Sequence, residues 1–402
     1  MSQQQPHVAV VGAGIGGLTT AIALRRVGID VDVYEQAPAL GEIGAGIHLA
    51  PNGSRLLARL GLGAQLHAVA VQPEAMEVRA FATGAVLMRQ PMGKAWADRF
   101  DGPHYTLHRA DLHALLAAQV PAAHIHLDKR AVAMTEDADG VTIDFTDGTA
   151  RRADVVVGAD GVHSVLRRSL VGAERPVFSG SAAIRAVVPA SDVPGLPTNT
   201  LLTWTGPAGR LLAHPVRGTR AWAFVAVVDD TEACDGTAAS GDSWSRPADL
   251  AALRAAFAGA EPAARALVEA ATEAGHWSLY DRAPLPRWST ARTTLLGDAA
   301  HPMLPHHGQG ASQAVEDAVA LAACLAGRGD GAHALTAALT RYENLRLAHT
   351  SRVREGSLGG GSERLSAPRN TPDAPRAGIR QLVEDVALAQ SYDVEADLAA
   401  RV

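Results

Sequence analysis

The amino-acid sequence predicts an α/β protein with a Rossmann-like dinucleotide-binding domain, an inserted β-sheet domain and C-terminal helices. Three observations predict this class. A glycine-rich turn, residues 12–17, lies between an apolar run and a helical segment near the start of the chain. A second apolar run, residues 293–296, ends in Gly297-Asp298. Between them, residues 175–290 hold strand-like runs and five of the six tryptophans, which favours a separate β-rich unit.

The N-terminal segment has the pattern of a βαβ unit. Residues 7–11 form a β-branched apolar run, residues 18–27 have helical composition, and residues 31–35 are apolar again. Glu35 ends the second strand 23 positions after Gly12, where a carboxylate can accept hydrogen bonds from an adenosine ribose. Together with the next residue, Gln36, it is predicted to bind the nucleotide.

The turn of this unit is predicted to hold a pyrophosphate. Gly12 allows a tight turn, Gly14 lets the backbone approach the phosphates, and Gly17 lets helix and strand pack closely. Ile15 lies at the start of the helix, whose N-terminus favours an anion. The alternative is a glycine-rich strand-to-helix turn with no ligand.

Two further strands are predicted to end beside this turn. Residues 141–145 alternate apolar and polar, Asp147-Gly148 signals a turn, and the apolar run 153–157 leads to Asp160. Ligands in open α/β sheets bind outside the carboxyl ends of strands, so residues 12, 160 and 298 are expected to converge. An aspartate at the end of an apolar run, followed by a glycine-rich loop and a helix, suits the ribityl chain of FAD better than a nicotinamide nucleotide.

The domain boundaries follow from these patterns. We expect a discontinuous FAD-binding domain of residues 1–72, 100–174 and 280–355. A substrate domain is expected over residues 73–99 and 175–279, including the strand-like run 221–228. A C-terminal helical tail is expected over residues 356–402. Residues 231–245 are predicted to form a surface loop. In the tail, residues 356–361 and 366–375 have loop-like composition, and a helix is expected near 379–389.

Composition excludes several classes of protein. The net charge is −6 and basic residues form no dense runs, so neither nucleic acid nor an anionic membrane is an expected partner. No apolar run approaches the ~20 residues that span a bilayer, and residues 1–6 lack signal-peptide character. Two cysteines fit a reducing cytosol and no thiolate metal site. We expect a cytoplasmic protein, monomer or homodimer, without a metal.

Four motifs together resemble the single-component FAD-dependent aromatic hydroxylases, over the chain up to about residue 350. Within that family the chain looks most like the salicylate hydroxylase and 6-hydroxynicotinate 3-monooxygenase branch, through residues 44–49 (GAGIHL) and 304–307 (LPHH). The four motifs are Gly12-Ala13-Gly14-Ile15-Gly16-Gly17 with Glu35; Leu107-His108-Arg109-Ala110-Asp111-Leu112; Gly158-Ala159-Asp160-Gly161 with Arg167; and Gly297-Asp298-Ala299-Ala300-His301-Pro302 with Gly308-Gln309-Gly310 and Glu316-Asp317-Ala318.

The resemblance implies a para-hydroxybenzoate hydroxylase-type fold and a reaction. NADH or NADPH reduces the flavin, O2 adds to give a flavin hydroperoxide, and its distal oxygen passes to a phenolic or heteroaromatic ring. The nicotinamide nucleotide binds only transiently, which agrees with the single nucleotide fingerprint. The resemblance also implies that Arg109 contacts the FAD, Asp160 serves the flavin and nicotinamide region, and Asp298 binds the ribityl chain.

The loop 305–310 is predicted to face the flavin ring. It precedes a predicted helix, residues 311–325, whose N-terminal amides and dipole supply positive potential for an anionic reduced flavin. Gly308 and Gly310 permit close backbone approach, and Pro305 and Ala311 flank them. The alternative is an ordinary glycine-rich loop.

His48 is the first candidate for acid–base chemistry. A phenol attacks the peroxide better once its hydroxyl proton is withdrawn, and imidazole has a reference pKa of ~6.5. In the nicotinate-type relatives a histidine at this position is implicated in that role. His214 and His306 are further candidates, and a histidine that only hydrogen-bonds the backbone or the flavin is the alternative.

The substrate pocket is expected to be largely apolar, since water competes with oxygen transfer. Its candidate walls are Trp204, Leu211, Leu212, Phe224 and Met303, each of which would otherwise be ordinary core. Arg185 and Arg210 are candidate clamps for a substrate carboxylate, because arginine offers a bidentate fork. The alternative for both is a solvated surface arginine, so an acid group and decarboxylation stay open.

These observations predict an NAD(P)H-dependent flavin monooxygenase that hydroxylates a small phenolic or heteroaromatic substrate. One alternative is the same chemistry on a non-phenolic indole or terpenoid, which would need no base. A flavin-binding redox sensor without hydroxylating activity is a second alternative, and a nicotinamide-only dehydrogenase is a third.

Overall fold

The computed structural model describes residues 5–41, 45–172, 174, 176–206, 209–230, 245–329, 333–359 and 374–401. The strands of this part of the chain are β1 His7–Val11, β2 Asp30–Tyr34, β3 Gly46–Leu49, β4 Ala75–Ala80, β5 Val86–Pro91, β6 Tyr105–His108, β7 Ile125–His126, β8 Ala131–Glu136, β9 Val141–Phe145, β10 Ala150–Ala153, β11 Val155–Gly158, β12 Val177–Pro189, β13 Thr200–Gly206, β14 Gly209–Val216, β15 Ala221–Asp229, β16 Ser245–Pro247, β17 Gly275–Asp281 and β18 Thr293–Leu295.

The helices lie mostly between strands of the first half and at the C-terminus. They are α1 Ile15–Arg26, α2 Pro51–Leu57, α3 Gly63–Val69, α4 Lys94–Phe100, α5 Arg109–Ala117, α6 Val165–Val171, α7 Leu250–Ala256, α8 Pro262–Ala270, α9 Gly310–Ala326, α10 Ala334–Gly359, α11 Ala374–Ser391 and α12 Val394–Ala400, and a π-helical turn, Ala58–Leu62, joins α2 to α3.

A parallel sheet forms the first layer, in the order β18-β11-β1-β2-β7. Its central strands β1 and β11 are almost wholly buried, as expected where helices cover both faces of a parallel sheet. Because all five strands are parallel, the carboxyl ends of β1, β11 and β18 meet at one edge. The predicted convergence of residues 12, 160 and 298 follows from this order.

An eight-stranded sheet forms the second layer, in the order β16-β17-β12-β15-β14-β13-β4-β5. Its strands come from residues 75–91 and 177–281, as the predicted insertion requires. One face packs against α7 and α8 in a core that includes Trp204, Phe224 and Phe257. The other face meets the first layer through Leu304, which packs with Ala183. The two-stranded ribbon β3–β6 lies against this sheet, because Thr106 Oγ1 donates to Pro215 O at 2.7 Å.

The α/β class with an inserted sheet and C-terminal helices is confirmed. The tail differs in two respects: α10 continues to Gly359, so the loop predicted to begin at Gly356 is wrong for its first four residues, and α11 begins at Ala374, so the loop predicted over 366–375 is wrong for its last two. The predicted helix 379–389 lies inside the longer α11. The predicted surface loop 231–245 falls outside the described residues except for Ser245, which begins β16. No helix of the described part is long and apolar enough to cross a membrane.

Candidate functional site

The turn after β1 leaves room for a ligand at Gly14. A Cβ on Gly12 would lie 2.3 Å from Ala159 O, and one on Gly17 would lie 1.9 Å from Gly12 O, whereas a Cβ on Gly14 would have no atom within 4 Å. Gly12 also has φ +106°, where a side chain is strained. Gly12 and Gly17 are therefore required by the fold itself, and Gly14 faces open space at the N-terminus of α1.

Glu35 lies beside this turn. Its Oε2 accepts a hydrogen bond from Ala13 N at 2.8 Å, and its Oε1 accepts one from Ala37 N at 2.9 Å. Each carboxylate oxygen keeps a second lone pair, so the side chain is held in place and can still accept a ribose hydroxyl. Gln36 is exposed next to it, and Ile15 is buried at the start of α1.

Asp160 caps a helix. Its Oδ1 accepts from Ser164 Oγ at 2.5 Å and its Oδ2 from Val165 N at 2.7 Å, so both oxygens point at the start of α6. Arg167 on that helix is buried and donates to Ala299 O and Ala300 O at 3.1 Å. The third and fourth predicted motifs are thus linked by hydrogen bonds, and Asp160 fixes the turn that precedes α6.

Asp298 and two arginines meet after β18. The Asp298 side chain is exposed, yet burial raises its pKa, opposed by His301, Arg109 and Arg185. A carboxylate that projects into a cleft lined by protein has both properties. Burial and the Arg109 charge lower the pKa of Arg185 to about 10 although Asp298 opposes them, and its buried Nε has no partner among the described residues.

The loop 305–310 closes the same cleft. Pro305–His307 form one helical turn, Gly308 has φ +61°, and α9 begins at Gly310. A Cβ on Gly310 would find only Asp298 Oδ1, at 4.0 Å. Ala311 follows in the first turn of α9. The N-terminus of α9 thus lies beside Asp298.

His48 lies next to Gly308, where a Cβ on the glycine would be 3.5 Å from His48 Nδ1. It belongs to a group of three imidazoles: its ring centroid is 4.5 Å from that of His214 and 5.5 Å from that of His104, both edge-on. Gly46 makes room for His214, because a Cβ there would lie 2.3 Å from His214 Cε1. We call these three residues the histidine cluster.

Every member of the histidine cluster has a buried ring nitrogen without a partner among the described residues: Nε2 of His48, Nδ1 of His214, and both nitrogens of His104. Burial lowers the pKa of His48 to about 4 and that of His104 to about 3, and it holds the pKa of His214 well below its ordinary value. All three are therefore neutral near pH 7 and can accept hydrogen bonds.

Arg210 and His306 form a second polar pair. Arg210 is buried, and its Nη2 lies 2.8 Å from His306 Nδ1. Since arginine can only donate, Nδ1 accepts and the neutral His306 carries its proton on Nε2. Burial lowers the pKa of Arg210 to about 10; burial and the neighbouring Arg210 lower that of His306 to about 3. The surface alternative for Arg210 is wrong, and the His306 nitrogen that faces Arg210 is not a free base.

The predicted pocket walls divide between the two faces of the sheet. Trp204, Leu211 and Phe224 pack in the core against α7 and α8, and Trp204 Nε1 donates to Glu261 Oε1 at 2.5 Å. Because successive side chains of a strand alternate between faces, Leu212 and Arg210 point to the opposite side. The prediction that Trp204, Leu211 and Phe224 line the pocket is therefore wrong, whereas Leu212 lies on the side of the cleft.

Small apolar side chains complete this second face. Leu304 packs against Ala183, Val227 and Leu279, with Val225 beside them. Met303, next to Leu304, is half-buried in the loop that follows β18. The face thus combines an apolar floor with imidazole and guanidinium groups, which suits a flat ring with polar substituents.

Sequence reasoning did not identify His104. It precedes β6 and reaches His48 only because β6 pairs with β3, a long-range register that no local pattern reveals. It also did not identify the buried ion pairs behind the 305–310 loop. There Asp317 accepts from Gly297 N at 2.9 Å, from His301 Nε2 at 2.5 Å and from Arg346 Nε at 2.7 Å.

The residues present fit a flavin dinucleotide. An open cradle at Gly14 marks one end and the backbone of the 305–310 loop the other, with Asp298 between them. The buried Arg185 Nε–H has no acceptor among the described residues. An unpaired buried donor lowers the stability of the fold, so a ligand that accepts this hydrogen bond would stabilise the protein. Among the described residues no group of histidine, cysteine and acidic side chains is arranged to hold a metal ion.

Comparison with known proteins agrees with this geometry. The family described as FAD binding domain matches residues 5–357. The chain is 42% identical over 383 residues to 3-amino-4-hydroxybenzoate 2-monooxygenase PtmB3 of Streptomyces platensis, which covers 94% of this chain and 92% of that protein. It is 40% identical over 356 residues to 6-hydroxynicotinate 3-monooxygenase of Bordetella bronchiseptica, covering 88% and 91% of the two chains.

Solved structures have the same fold. A salicylate hydroxylase in complex with its substrate superimposes with a TM-score of 0.84 at 29% identity, over 100% of this chain and 99% of that one. HpxO of Klebsiella pneumoniae, complexed with FAD and uric acid, superimposes with a TM-score of 0.79 at 27% identity, over 98% and 95%.

Proposed function

Because the chain belongs to the FAD-binding domain family and is an FAD-dependent monooxygenase, we propose that it hydroxylates an aromatic acid that carries a ring hydroxyl, of the aminohydroxybenzoate or hydroxypyridine carboxylate class. The observation that carries this proposal is the pairing, on one face of the eight-stranded sheet, of a buried guanidinium with neutral imidazoles. The names of the relatives, which act on 3-amino-4-hydroxybenzoate and 6-hydroxynicotinate, support it.

The cofactor would lie across the carboxyl edge of the parallel sheet. Bound FAD, reduced by NADH or NADPH, supplies the activated oxygen. The first βαβ unit would hold its adenosine diphosphate, through Gly12, Gly14, Ile15, Gly17, Glu35 and Gln36. The strand ends would hold its ribityl chain, through Arg109, Asp160 and Asp298. The loop before α9 would hold its ring, through Pro305, Gly308, Gly310 and Ala311.

Arg210 would bind the substrate carboxylate. It lies two residues from Leu212 and four from His214 on the same face of β14, so a ring that fills the space above Leu212 reaches both. Burial lowers the pKa of Arg210 to about 10, so the guanidinium stays charged near pH 7, and a substrate carboxylate would compensate this buried charge. His306 would keep the guanidinium oriented through its Nδ1.

His48 would accept the hydrogen bond of the ring hydroxyl. It is neutral, because burial lowers its pKa to about 4, and it lies against the loop that would face the flavin. Withdrawal of the hydroxyl proton makes the ring more electron-rich, which favours attack on an electrophilic oxygen. His214 would serve the same hydroxyl from the sheet side.

We also propose the domain division predicted from the sequence, with residues 1–72, 100–174 and 280–355 for the cofactor, 73–99 and 175–279 for the substrate, and 356–402 as the tail; the eight-stranded sheet supports it, apart from the last two residues of β17, which ends at Asp281. A cytoplasmic location, where nicotinamide nucleotides are reduced, fits this role. Sedimentation analysis would distinguish a monomer from a homodimer.

The test is the oxidation of NADH and NADPH by the FAD-loaded protein, with salicylates, hydroxynicotinates, aminohydroxybenzoates and indoles added in turn and hydrogen peroxide followed in parallel. Stimulation by a hydroxylated aromatic acid with little peroxide is the expected result. Stimulation only by a non-phenolic compound would replace the proposal with the indole or terpenoid alternative. A flavin reduction rate that no aromatic compound changes would contradict the proposal and favour a redox sensor.

A further inference from the structure

Arg185 of β12 is a cation that lines the cleft without an acceptor for all of its donors. Its side chain is half-buried, and its Nε is fully buried without a partner among the described residues. Burial lowers its pKa only to about 10, so the guanidinium stays charged near pH 7. An unpaired buried donor lowers the stability of the fold, and the planar arginine fork is suited to an anion. The group therefore fits a negatively charged ligand.

The charges around Arg185 are unbalanced. Arg109 lowers its pKa and Asp298 raises it, and these are the charged groups of the described part of the chain that act on it. Two guanidinium groups thus face one carboxyl group, whose own pKa is raised by burial. In a cleft that excludes much of the water, such an excess of positive charge attracts an anion. The anion would lie between β12 and the strand end that carries Asp298.

Strand register separates Arg185 from the proposed carboxylate clamp. Arg185 pairs with Val225 of β15, and Arg210 pairs with Val227 of the same strand. Because β15 lies between β12 and β14, the Cα atoms of the two arginines are about 10 Å apart across the sheet and about 7 Å apart along it. Arg210 is bonded to His306 at its own end of the face. A substrate carboxylate bound by Arg210 would therefore leave Arg185 without an anion.

The reduced flavin ring is an anion that suits the position of Arg185. Ala183, two positions earlier on the same face of β12, packs against Leu304 just before the 305–310 loop. The N-terminus of α9, which follows this loop, lies beside Asp298. Arg185 thus faces the cleft opposite the loop that would hold the ring. The ring is neutral when oxidised and negatively charged when reduced, so a nearby guanidinium would stabilise the reduced form selectively.

We propose that Arg185 binds the ring of reduced FAD and thereby raises the midpoint potential of the bound cofactor, and that Trp277 is the positioning residue that orients the guanidinium. The Arg185 Cζ lies 5.2 Å from the centroid of the Trp277 ring, a distance at which a cation and an aromatic face attract each other. Gly275 pairs with Arg185, and a Cβ on it would lie 2.3 Å from Trp277 Cη2. Glycine thus makes room for the tryptophan ring beside the guanidinium.

The electron balance shows where this charge acts. The hydride donated by NADH or NADPH carries two electrons and one proton to oxidised FAD, so the reduced ring gains one negative charge and the nicotinamide becomes NAD⁺ or NADP⁺. No bond to Arg185 forms or breaks. A higher midpoint potential makes this transfer more favourable. The inference needs FAD and a nicotinamide reductant, and it does not depend on the identity of the aromatic substrate.

The test compares Arg185→Met with the wild-type holoenzyme. The main measurement is the midpoint potential of the bound FAD, determined by anaerobic spectrophotometric titration against a reference dye, which requires no turnover. We expect the variant to lose about 100-fold in affinity for reduced FAD relative to oxidised FAD, which lowers the two-electron midpoint potential by about 60 mV. Arg185→Lys keeps the charge and should recover most of the potential.

Three further variants separate this role from a structural one. The apoprotein of Arg185→Met should melt at the wild-type temperature or higher, because an unpaired buried donor is removed, and Arg185→Gln takes its place if the methionine variant does not fold. Trp277→Leu should lower the potential by a smaller amount, because the charge remains while its orientation is lost. Arg220→Met is the matched control, since Arg220 is exposed between β14 and β15 of the same sheet, and it should leave the potential unchanged.

The outcomes are distinct. An Arg185→Met holoenzyme with the wild-type potential overturns the inference, and so does an equal loss of affinity for oxidised and reduced FAD. With the potential unchanged, weaker binding of an aromatic acid alone would make Arg185 a second carboxylate clamp, and weaker binding of NADH alone would assign it to the reductant; both results overturn the inference. If no aromatic compound stimulates NADH oxidation by the wild type, the proposed function fails, whereas the measured potentials still decide the role of Arg185.

Discussion

Substitution of Gly14 by valine should separate cofactor binding from folding. Gly14 has φ −71° and ψ −175°, which any residue can adopt, and a Cβ there would meet no atom within 4 Å. The apoprotein should therefore keep its stability within about 1 kcal/mol, because the reduced freedom of the unfolded chain offsets the loss of a preferred N-cap residue at the start of α1. The added methyl groups would instead occupy the space through which a pyrophosphate reaches the backbone N–H groups of α1.

The expected loss of FAD affinity follows from those N–H groups. A hydrogen bond to a charged group contributes about 1.5–3 kcal/mol, so the loss of two would cost about 3–6 kcal/mol, or roughly 10² to 10⁴ in Kd. The assay is titration of the apoprotein with FAD, followed by flavin fluorescence, together with thermal melting of the apoprotein. Gly310→Val should behave in the same way, because its Cβ would meet only Asp298 Oδ1 at 4.0 Å. It should abolish flavin binding or reduction.

Gly17→Ala is the contrasting control. Its Cβ would lie 1.9 Å from Gly12 O, so this smaller change should destabilise the apoprotein itself. An apoprotein of Gly14→Val that folds normally and binds FAD within about threefold of the wild type would refute the placement of the pyrophosphate at this turn. Normal FAD content and turnover in Gly310→Val would refute the placement of the ring at the 305–310 loop.

Three further predictions concern charged groups. Arg210→Lys should raise KM for an aromatic acid about tenfold or more in steady-state assays, because lysine lacks the bidentate fork, and an unchanged KM would argue against the clamp. Asp317→Asn should lower the free energy of urea unfolding by about 3 kcal/mol, because it leaves the buried Arg346 short of a partner; a change below about 1 kcal/mol would contradict this. Burial alone would raise the pKa of Asp32, but hydrogen bonds from His126, His7 and His124 lower it below its ordinary value. Its contribution, about 1 kcal/mol at most, is present above the unfolded pKa of about 3.9 and lost as the pH falls through the folded pKa, so wild type and Asp32→Asn should converge in stability below about pH 4 and differ above it.

The cofactor end of the site could be predicted from sequence because its determinants are local. The steric need for glycine at positions 12 and 17, the acid that ends β2 and the glycines before α9 all lie within a few residues of the turns they shape. Because ligands bind at the carboxyl edge of such sheets, the residues that follow β1, β11 and β18 could be expected to converge, and the parallel order of these strands brings them together. Each of these predictions depends on the spacing of residues along the chain.

The substrate end could be predicted only in part, because it depends on which face of a sheet each residue occupies. Trp204 and Phe224 were candidate walls of an apolar pocket, but strand register turns them toward α7 and α8, whereas Arg210 and His214 lie on the other side. A shift of one residue reverses the face, and the apolar residues of β14 and β15 occupy both faces, so the sequence alone does not show which face meets the helices. His104 depends in the same way on the pairing of β6 with β3.

In its proposed role the 305–310 loop presents backbone groups to a ligand, and this role requires a rigid loop. Buried residues next to the loop provide that support. Asp317 accepts hydrogen bonds from Gly297 N and His301 Nε2 with one carboxylate oxygen and from Arg346 Nε of α10 with the other. Arg346 in turn lies over the ring of Tyr392, which stacks on His349 with centroids 3.7 Å apart. The C-terminal helices, for which the sequence indicated only packing, therefore close a buried chain of charges that begins at the strand end of the cofactor site. A loop fixed from behind by ion pairs can keep its front polar groups unpaired for a ligand, and the tail also reaches the loop directly, because a Cβ on Gly356 would lie 3.0 Å from His307 Cε1.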